Sequence, residues 1–527
     1  MPNFDQAIRI LSAPENLPLL NLIKRGIEKE SLRVTAEGKL SQSPHPSALG
    51  SALTHPRITT DFSEALLELI TPPGKNLEET LSILEDIHKV IYHHIGDELL
   101  WVNSMPCAIG EDKAIPIARY GSSNVAKMKE AYRLGLGNRY GRTMQTIAGI
   151  HYNWSAPDEC LSLLQTACGS HLSFQEYKTQ AYFGLIRNFR RHTWLLLYLF
   201  GAAPALCRSF VKGRHHQLSP MDAEGHTLYA PYGTSLRMGD LGYQSSAQES
   251  LYVCYNDLNS YIKTLQKGLA EPYQGYEKLG TRDHNGDYLQ LNTHLLQIEN
   301  EFYSTIRPKR TTRRGETPIK ALRERGVEYI EVRCIDLNPF EQIGLDRLQA
   351  RFLDIFLLNC LLRDSPEITP EDNKMLMANQ MTAVYEGRKP GLRLQRSGEA
   401  VPLCDWAGEL FDEMEPVAEL LDANHSGDYY QQALSRIKER IADPDKTPSA
   451  RILAELRENN ISYFQWALKK SREHKAIAAT DPPNPALIAQ YTEYASQSVT
   501  EQRRIEEADQ MSFEDYLAHY FSQHKTV

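Results

Sequence analysis

The chain has 527 residues, of which 41% are hydrophobic and 24% are charged. These values are ordinary for a globular protein and exclude collagen-like, low-complexity and wholly disordered chains. The formal net charge of −9 argues against a nucleic-acid or acidic-membrane footprint spread over the whole surface. The length suits about three domains or one large enzyme domain.

The N-terminal segment, MPNFDQAIRILSAPENLPLLNL, lacks a basic region followed by an unbroken apolar run, so we expect no signal peptide. The best membrane candidate runs from Thr193 to Cys207. It is too short to span a bilayer and contains Gly201 and Pro204, so it predicts a buried helix. The eight cysteines include no C-x-x-C pair, and an even number permits disulfides without requiring them. We expect a reduced, cytoplasmic, soluble protein.

Two segments in the first part of the chain carry acidic residues in a strand-like context. Side chains alternate between the two faces of a strand, so Gly26 to Val34 places Glu28 and Glu30 on one face. The segment from Thr59 to Thr71 is ambiguous. Helical spacing would align Glu64 with Glu68, whereas a strand through Leu67 to Ile70 would direct Glu68 alone to one side.

Two later segments show the same alternation. From Thr146 to Ser155, His151 and Asn153 share one face and the apolar residues share the other. From Val327 to Ile335, Glu331 and Arg333 share a face with Tyr329.

Together these strands would form a densely acidic face, with Asp61 nearby. Carboxylates so near to one another repel, and a bound divalent cation usually offsets this repulsion. Oxygen ligands with a single imidazole favour Mg²⁺ or Mn²⁺ over Zn²⁺ or copper. For any single carboxylate a solvated strand residue is the simpler interpretation, and a lone histidine such as His151 is more often structural than a ligand.

A basic cluster from Arg307 to Arg314, RPKRTTRR, holds five cations in eight residues. It fits three interpretations: a solvated loop, a nucleic-acid contact, or a clamp on a polyphosphate. There is no G-x-x-x-x-G-K-[ST] and no G-x-S-x-G, so a P-loop and an α/β-hydrolase elbow are unsupported.

The last third of the chain is predicted to be mostly helical. Apolar residues recur at helical spacing from Leu345 to Leu362 until Asp364-Ser365-Pro366 ends the pattern. Thr447 before Pro448, and Ser512 before Asp515, are typical helix starts. We therefore expect one compact catalytic unit with helical additions.

Nine segments, taken in order, resemble the proteobacterial type of glutamate–cysteine ligase, or γ-glutamylcysteine synthetase. They are GIEKESLRV (26–34), ALGSALTHPRITTDFSEALLELITP (48–72), SMPC (104–107), NRYGRTMQTIAGIHYNWS (138–155), YLFGAAPALC (198–207), TSLRMGDLGY (234–243), LQIENEFYSTIRPKR (296–310), GVEYIEVRCIDLNPF (326–340) and EGRKPGL (386–392). The resemblance covers residues 20 to 395. It divides the chain into a catalytic core at 1–395 and a helical region at 396–527 packed on that core.

The resemblance implies an α+β fold related to glutamine synthetase. A curved, mostly antiparallel sheet would form a funnel-shaped site wrapped by helices, with a mainly helical C-terminal third. It also implies that the γ-carboxylate of L-glutamate is joined to the amine of L-cysteine through γ-glutamyl phosphate. The products would be γ-glutamylcysteine, ADP and phosphate, in the first step of glutathione synthesis.

The resemblance further assigns roles to individual positions. Metal positions would be Glu28, Glu30, Asp61, Glu68, His151 and Glu331. The cysteine pocket would include Phe62, Tyr132, Gln145, Tyr243 and Tyr303. Arg237 and Arg333 would contact substrate and the transferring phosphate, and Lys309 and Arg310 the nucleotide phosphates.

The implied cofactor is Mg²⁺, with Mn²⁺ as a substitute, and ATP is the co-substrate. The implied partners are small molecules, with feedback inhibition by glutathione, a monomeric state, and no nucleic acid or membrane. Three alternatives stay open: a related ligase that uses another amine, a non-catalytic binding protein on a decayed ligase fold, and a nucleic-acid binder using the 307–314 cluster.

Overall fold

The computed structural model describes residues 1–242, 247–248 and 251–524. Tyr243, assigned above to the cysteine pocket, lies outside the described residues.

The strands are β1 Lys24–Val34, β2 Ile58–Thr60, β3 Leu66–Ile70, β4 Leu99–Leu100, β5 Ile150–Ser155, β6 Ala205–Cys207, β7 Ser219–Pro220, β8 Thr227–Tyr229, β9 Ile306–Lys309, β10 Tyr329–Ile335, β11 Arg393–Arg396 and β12 Glu399–Pro402. The helices are α1 Phe4–Leu11, α2 Leu77–His94, α3 Asn124–Tyr140, α4 Asp158–Ala167, α5 Phe174–Phe200, α6 Leu258–Ala270, α7 Gln274–Leu279, α8 Pro318–Arg325, α9 Arg347–Leu362, α10 Pro370–Glu386, α11 Leu403–Asp422, α12 Tyr429–Ala442, α13 Pro448–Glu458, α14 Tyr463–Thr480, α15 Pro485–Glu507 and α16 Phe513–Ser522.

The main sheet has the strand order β2-β3-β1-β5-β10-β9, and β4 pairs with the end of β1. Every neighbouring pair is antiparallel. The strands do not close into a barrel, and helices pack against the sheet. The C-terminal third is mainly helical, as expected. Within the described residues β6, β8 and β7 form a smaller sheet, and β11 and β12 form a hairpin.

The register explains why one face of the main sheet is polar. Residues directly opposite in an antiparallel pair point to the same face. Glu30 therefore shares a face with Glu68, and Glu28 shares it with His151. The same face continues across β10 and β9, where Glu331 lies opposite Arg307.

The other face of the sheet is buried against long helices. Tyr152 and Trp154 of β5 are fully buried there, and the Tyr152 hydroxyl donates to Asp354 of α9 at 3.0 Å. Helix α5 begins with a capping box formed by Ser173 and Glu176. The sheet is thus supported by packed helices on one side and open to a cavity on the other.

The predicted buried helix from Thr193 to Cys207 is correct only as far as Phe200, where α5 ends. Beyond it, Ala205–Cys207 forms strand β6. Pro204 lies in this connection, and proline cannot donate a backbone hydrogen bond within a helix. Among the described helices, none has the length and apolarity needed to cross a bilayer.

The ambiguous segment from Thr59 to Thr71 forms two strands, β2 and β3, so the strand interpretation of Glu68 is confirmed. The predicted helix starts are confirmed too. Thr447 caps α13 by accepting from the Ala450 N–H, and Ser512 caps α16 by accepting from the Asp515 N–H.

The C-terminal helices contact the catalytic part through buried polar groups. The Arg25 guanidinium of β1 pairs with Asp354 at 2.8 Å, and the Tyr430 hydroxyl of α12 donates to the same carboxylate at 3.2 Å. The β11–β12 hairpin lies at the predicted boundary near residue 395. The division into a core and an added helical region stays a prediction.

The expectation of a fully reduced chain was wrong for one pair of cysteines. Cys107 and Cys207 form a disulfide with their Cα atoms 5.6 Å apart, although 100 residues separate them in sequence. Their spacing gave no sign of this, because only folding brings the loop after Ser104 against the end of β6.

Candidate active site

A cavity of about 630 Å³ opens over the polar face of the main sheet. Its size falls in the range of small-molecule sites. It is lined by all six predicted metal residues, by Phe62, Tyr132, Gln145 and Tyr303, and by Arg237, Arg333 and Lys309. The structure therefore brings together nearly every predicted site residue that it describes.

Glu28, His151 and Glu331 form the tightest group of possible metal ligands in the cavity. One ligand atom from each lies within 4.8 Å of the others. His151 Nδ1 lies 3.1 Å from Glu28 Oε2, and the Asn153 amide donates to Glu28 Oε1 at 2.9 Å. Burial, followed by the nearby Arg333 cation, lowers the pKa of His151, which favours the neutral ring that a metal ligand needs.

Glu30, Asp61 and Glu68 form the second acidic group, which is crowded by like charges. Burial, and then the neighbouring Asp61, raise the pKa of Glu30 to about 8. Burial and the charges of Glu28 and Asp61 raise the pKa of Glu68 well above its ordinary value. Such groups ionise readily only when a cation offsets the repulsion. The donor set therefore fits a divalent metal bound through oxygen.

Two cations hold Glu331 in its charged form. Lys309 Nζ lies 3.0 Å from one of its oxygens and Arg333 Nη1 lies 2.9 Å from the other. Burial opposes ionisation, but Lys309 and Arg333 together hold the pKa of Glu331 well below its usual range. Arg333 thus lies beside the acidic cluster in the lining of the cavity.

Arg237 is buried, with its guanidinium fixed from several directions. Its Nη2 donates to the Arg333 carbonyl at 2.8 Å, and its Nη1 lies 3.6 Å from the buried Asp336 carboxylate. A Cβ atom on Gly149 would overlap the Arg237 guanidinium. Gly149 also donates its N–H to Glu30 at 2.6 Å, so this glycine lies between a predicted metal ligand and a predicted substrate-binding arginine.

The predicted aromatic residues come from separate parts of the chain. Phe62 lies between β2 and β3, Tyr132 lies on α3, and Tyr303 follows a short helical turn. Gln145 lies in the turn before β5. Ser123 caps α3 by accepting from the Ala126 N–H. Lys129, Tyr132 and Arg133 share one face of this helix because they are spaced three and four residues apart, and that face lines the cavity.

Arg310 is the described site residue that the cavity does not include. Its guanidinium donates to the Arg325 carbonyl at 2.9 Å and lies 3.7 Å from Glu328. Arg307 and Lys309 lie on one face of β9 and line the cavity, as Arg313 and Arg314 do, whereas Arg310 follows the end of the strand and does not.

Several cavity residues were not predicted from the sequence. Glu301 accepts hydrogen bonds from Tyr140 at 2.6 Å and Arg139 at 3.0 Å. Tyr516 and Tyr520 of α16 also line the cavity, with Gly315 and Glu316, next to Arg313 and Arg314 of the predicted basic cluster. Ser512 and Asp515 predicted the start of α16, but they did not indicate what the helix contacts.

A second cavity of about 530 Å³ adjoins the first, and both include Glu28 in their lining. Asn153, Ser155 and Tyr329 contribute to it from the ends of β5 and β10, and Lys24 contributes from the start of β1. The two cavities therefore meet at the acidic cluster.

The sequence matches the family model of the glutamate–cysteine ligases over residues 8–383. The chain belongs to the glutamate–cysteine ligase family. This confirms the expected class of enzyme, an ATP-dependent ligase that forms γ-glutamylcysteine for glutathione synthesis.

Two relatives are similar in sequence over almost the whole length of this ligase. A glutamate–cysteine ligase from Alcanivorax borkumensis is 50% identical over 525 residues, covering 99% of this chain and 100% of that protein. One from Saccharophagus degradans is 51% identical over 512 residues, covering 97% and 96%.

Solved structures support the fold. A crystal structure of glutamate–cysteine ligase from Francisella tularensis in complex with AMP is 36% identical, with a TM-score of 0.89, covering 95% of this chain and 97% of that one. A bifunctional glutathione synthetase from Pasteurella multocida is 26% identical, with a TM-score of 0.70, covering 90% of this chain and 54% of that one. The expected fold class is confirmed.

Proposed function

We propose that this ligase activates the γ-carboxylate of L-glutamate as an acyl phosphate and transfers it to the amine of L-cysteine. A carboxylate is a poor electrophile because it lacks a good leaving group. Attack of a γ-carboxylate oxygen on the terminal phosphorus of ATP breaks the bond to the ADP oxygen. The cysteine amine then attacks the acyl carbon, the bond to the phosphate oxygen breaks, and the amine loses a proton.

Mg²⁺, with Mn²⁺ as a substitute, is the proposed metal, held by Glu28, Glu30, Asp61, Glu68, His151 and Glu331. The observation that carries this proposal is the convergence of buried carboxylates on one cavity face, where the pKa values of Glu30 and Glu68 stay raised although Arg237, Arg333 and Lys129 are nearby. When bound, the metal would supply positive charge to the phosphate oxygens.

The second cavity is the proposed site for the base and ribose of ATP. It is large enough for a nucleoside and meets the first cavity at Glu28, so a nucleotide lying there would direct its phosphates to the acidic cluster. The Francisella structure holds AMP, which agrees with a nucleotide site in this fold. Replacing Tyr329 by Ala should raise the KM for ATP and leave the KM for cysteine unchanged.

Arg333, Arg237 and Lys309 are proposed to stabilise charge on the transferring phosphoryl group and the substrate carboxylates. Lys309 and Arg333 already neutralise Glu331, so they lie between the cluster and the cavity. Phe62, Tyr132, Gln145 and Tyr303 are the proposed cysteine pocket. Their bulk would exclude water from the acyl phosphate and limit its hydrolysis.

Isotope transfer tests the intermediate. Glutamate labelled with ¹⁸O in its γ-carboxylate should yield inorganic phosphate carrying one label. Activation as an acyl adenylate would instead release AMP and place the label there. Unlabelled phosphate with labelled AMP would therefore contradict the acyl-phosphate route.

A panel of amines tests the second substrate. Phosphate release with glutamate should be much faster with L-cysteine than with other small amines. Equal rates with another amine would favour the alternative ligase. Glutathione feedback and a monomeric state remain proposals that follow from the family resemblance, and a cytoplasmic location remains a proposal as well.

A further inference from the structure

Helix α16, the last helix that the structure describes, lies against the active-site cavity. Tyr516 and Tyr520 are one helical turn apart, so their side chains share a face. Both line the cavity that contains the acidic cluster. The family model ends at residue 383, and no role for this distant segment follows from it.

The helix is held by a small apolar cluster that is separate from the main core. Leu517 packs there with Met128 and Ala131 of α3 and with Leu291 and Ile298. Tyr132, Tyr516 and Tyr520 pack against the same cluster. The cluster thus joins α16 to the side of α3 that bears a proposed cysteine-pocket residue.

Polar contacts fix both ends of the segment. Before the helix, Asp509 accepts from the Asn124 N–H, and the Met511 carbonyl accepts from the Asn124 amide at 2.8 Å. After the helix, the Gln523 amide donates to the Gly315 carbonyl at 2.8 Å and accepts from the Thr317 N–H at 3.3 Å.

These contacts place α16 as a bridge between two sides of the cavity. One end holds the start of α3, which carries Lys129, Tyr132 and Arg133. The other end holds the 312–316 segment, which lines the cavity with Arg313 and Arg314. Moving α16 would therefore remove part of the cavity wall and release the packing behind Tyr132.

We propose that Tyr516 and Tyr520 make α16 a functional wall of the amino-acid side of the active site. They act as positioning residues: they support Tyr132 and keep water from the activated glutamate. This inference rests on the proposed placement of the cysteine pocket and on the acyl-phosphate route. Helix α16 would then contribute to the affinity for cysteine and to the coupling of ATP use to product formation.

The test compares full-length Tyr516→Ala/Tyr520→Ala with Tyr520→Phe and with His519→Ala, an exposed position on the same helix. Each variant is assayed for the KM of cysteine and of ATP, and for phosphate released per γ-glutamylcysteine formed. The double variant should raise the cysteine KM about tenfold and release excess phosphate, with little change in the ATP KM. The phenylalanine and His519 variants should stay near wild type.

An unchanged cysteine KM with one phosphate per product in the double variant would overturn the inference. If the double variant is unfolded by circular dichroism, Gln523→Ala replaces it, since it loosens the end of α16 and keeps both tyrosines. Gln523→Ala should shift both readouts in the same direction by a smaller factor, and a wild-type result would overturn the inference.

Tyr132→Ala, measured in parallel, separates this inference from the proposed function. If Tyr132→Ala raises the cysteine KM and the α16 variants do not, the inference about α16 fails alone. If Tyr132→Ala changes only the glutamate KM, the pocket assignment fails. In that case the role of α16 is decided by the phosphate released per product in the double variant: excess phosphate supports the inference, and one phosphate per product overturns it.

Discussion

Glu30 on β1 and Glu68 on β3 lie directly opposite each other in the antiparallel register, on the face that lines the cavity. Like charges at such positions destabilise a sheet. Glu331 differs, because Lys309 and Arg333 contact both of its oxygens. In the acidic cluster, Glu331 is therefore paired with two cations, whereas Glu30 and Glu68 lie against like charges.

This contrast predicts opposite effects of two similar substitutions on the metal-free protein. Glu68→Gln should stabilise it by up to about 1 kcal/mol, because the fold no longer has to bury a carboxyl group whose ionised form is repelled by its neighbours. Glu331→Gln should destabilise it by on the order of 2–3 kcal/mol because two cations lose their partner. Urea unfolding in EDTA measures both, with the exposed Glu79→Gln of α2 as the control.

The same variants, together with Glu30→Gln, should lose nearly all activity at low Mg²⁺ because each removes a proposed ligand. Part of the activity should return at high Mg²⁺ if the remaining ligands still bind the ion. Ordinary turnover at low Mg²⁺ in any of these variants would contradict the metal assignment.

Gly149→Ala should impair catalysis without unfolding the protein. The added methyl group would overlap the Arg237 guanidinium, so the arginine must move away from its place beside Asp336. We expect a fall in kcat/KM of about tenfold or more, since a small misplacement of a positioned group is costly. Gly184→Ala on α5, where an added Cβ meets only ordinary contacts, is the matched control. Equal kinetics in the two variants would show that Arg237 does not need this space.

Loss of the Cys107–Cys207 disulfide should lower the melting temperature. The bond closes a loop of 100 residues, for which the chain-entropy model gives a stabilisation of up to about 4–5 kcal/mol. Cys107→Ser/Cys207→Ser and reduction by dithiothreitol should have the same effect. Cys168→Ser, which replaces an exposed free cysteine, should leave the melting temperature unchanged. A melting temperature that is insensitive to both treatments would mean that the pair is not bonded in solution.

His88 should make the protein sensitive to mild acid. It is buried beneath the sheet, and neither ring nitrogen has a hydrogen-bond partner among the described residues. Burial, with Lys29 and His474 nearby, lowers its pKa well below the ordinary 6.5. Above pH 6.5 the ring is neutral in both the folded and the unfolded protein. As the pH falls below that value, the unfolded protein binds a proton that the buried ring does not, so the free energy of unfolding decreases.

Urea unfolding at pH 7.5 and pH 5.5 measures this effect. His88→Leu should reduce the loss of unfolding free energy between the two pH values, whereas His93→Leu, exposed on the same helix, should not. The same pH dependence in wild type and His88→Leu would rule out His88 as a source.

The polar face of the sheet could be predicted from single segments of the sequence. The two-residue period of a strand places Glu28 with Glu30, His151 with Asn153, and Glu331 with Arg333. This alternation is local, so it is visible in a single segment. Helix caps such as Thr447 and Ser512 were visible for the same reason, since a cap involves only residues three or four apart.

Which of these local faces meet depends on how the whole chain packs. Glu30 lies opposite Glu68 because β3 pairs with β1 in one register, and a shift of one residue would have turned Glu68 to the other face. The disulfide, the space that Gly149 leaves for Arg237, and the approach of α16 to the cavity all join residues far apart in sequence. Such contacts follow from packing of the whole chain, which no single segment encodes.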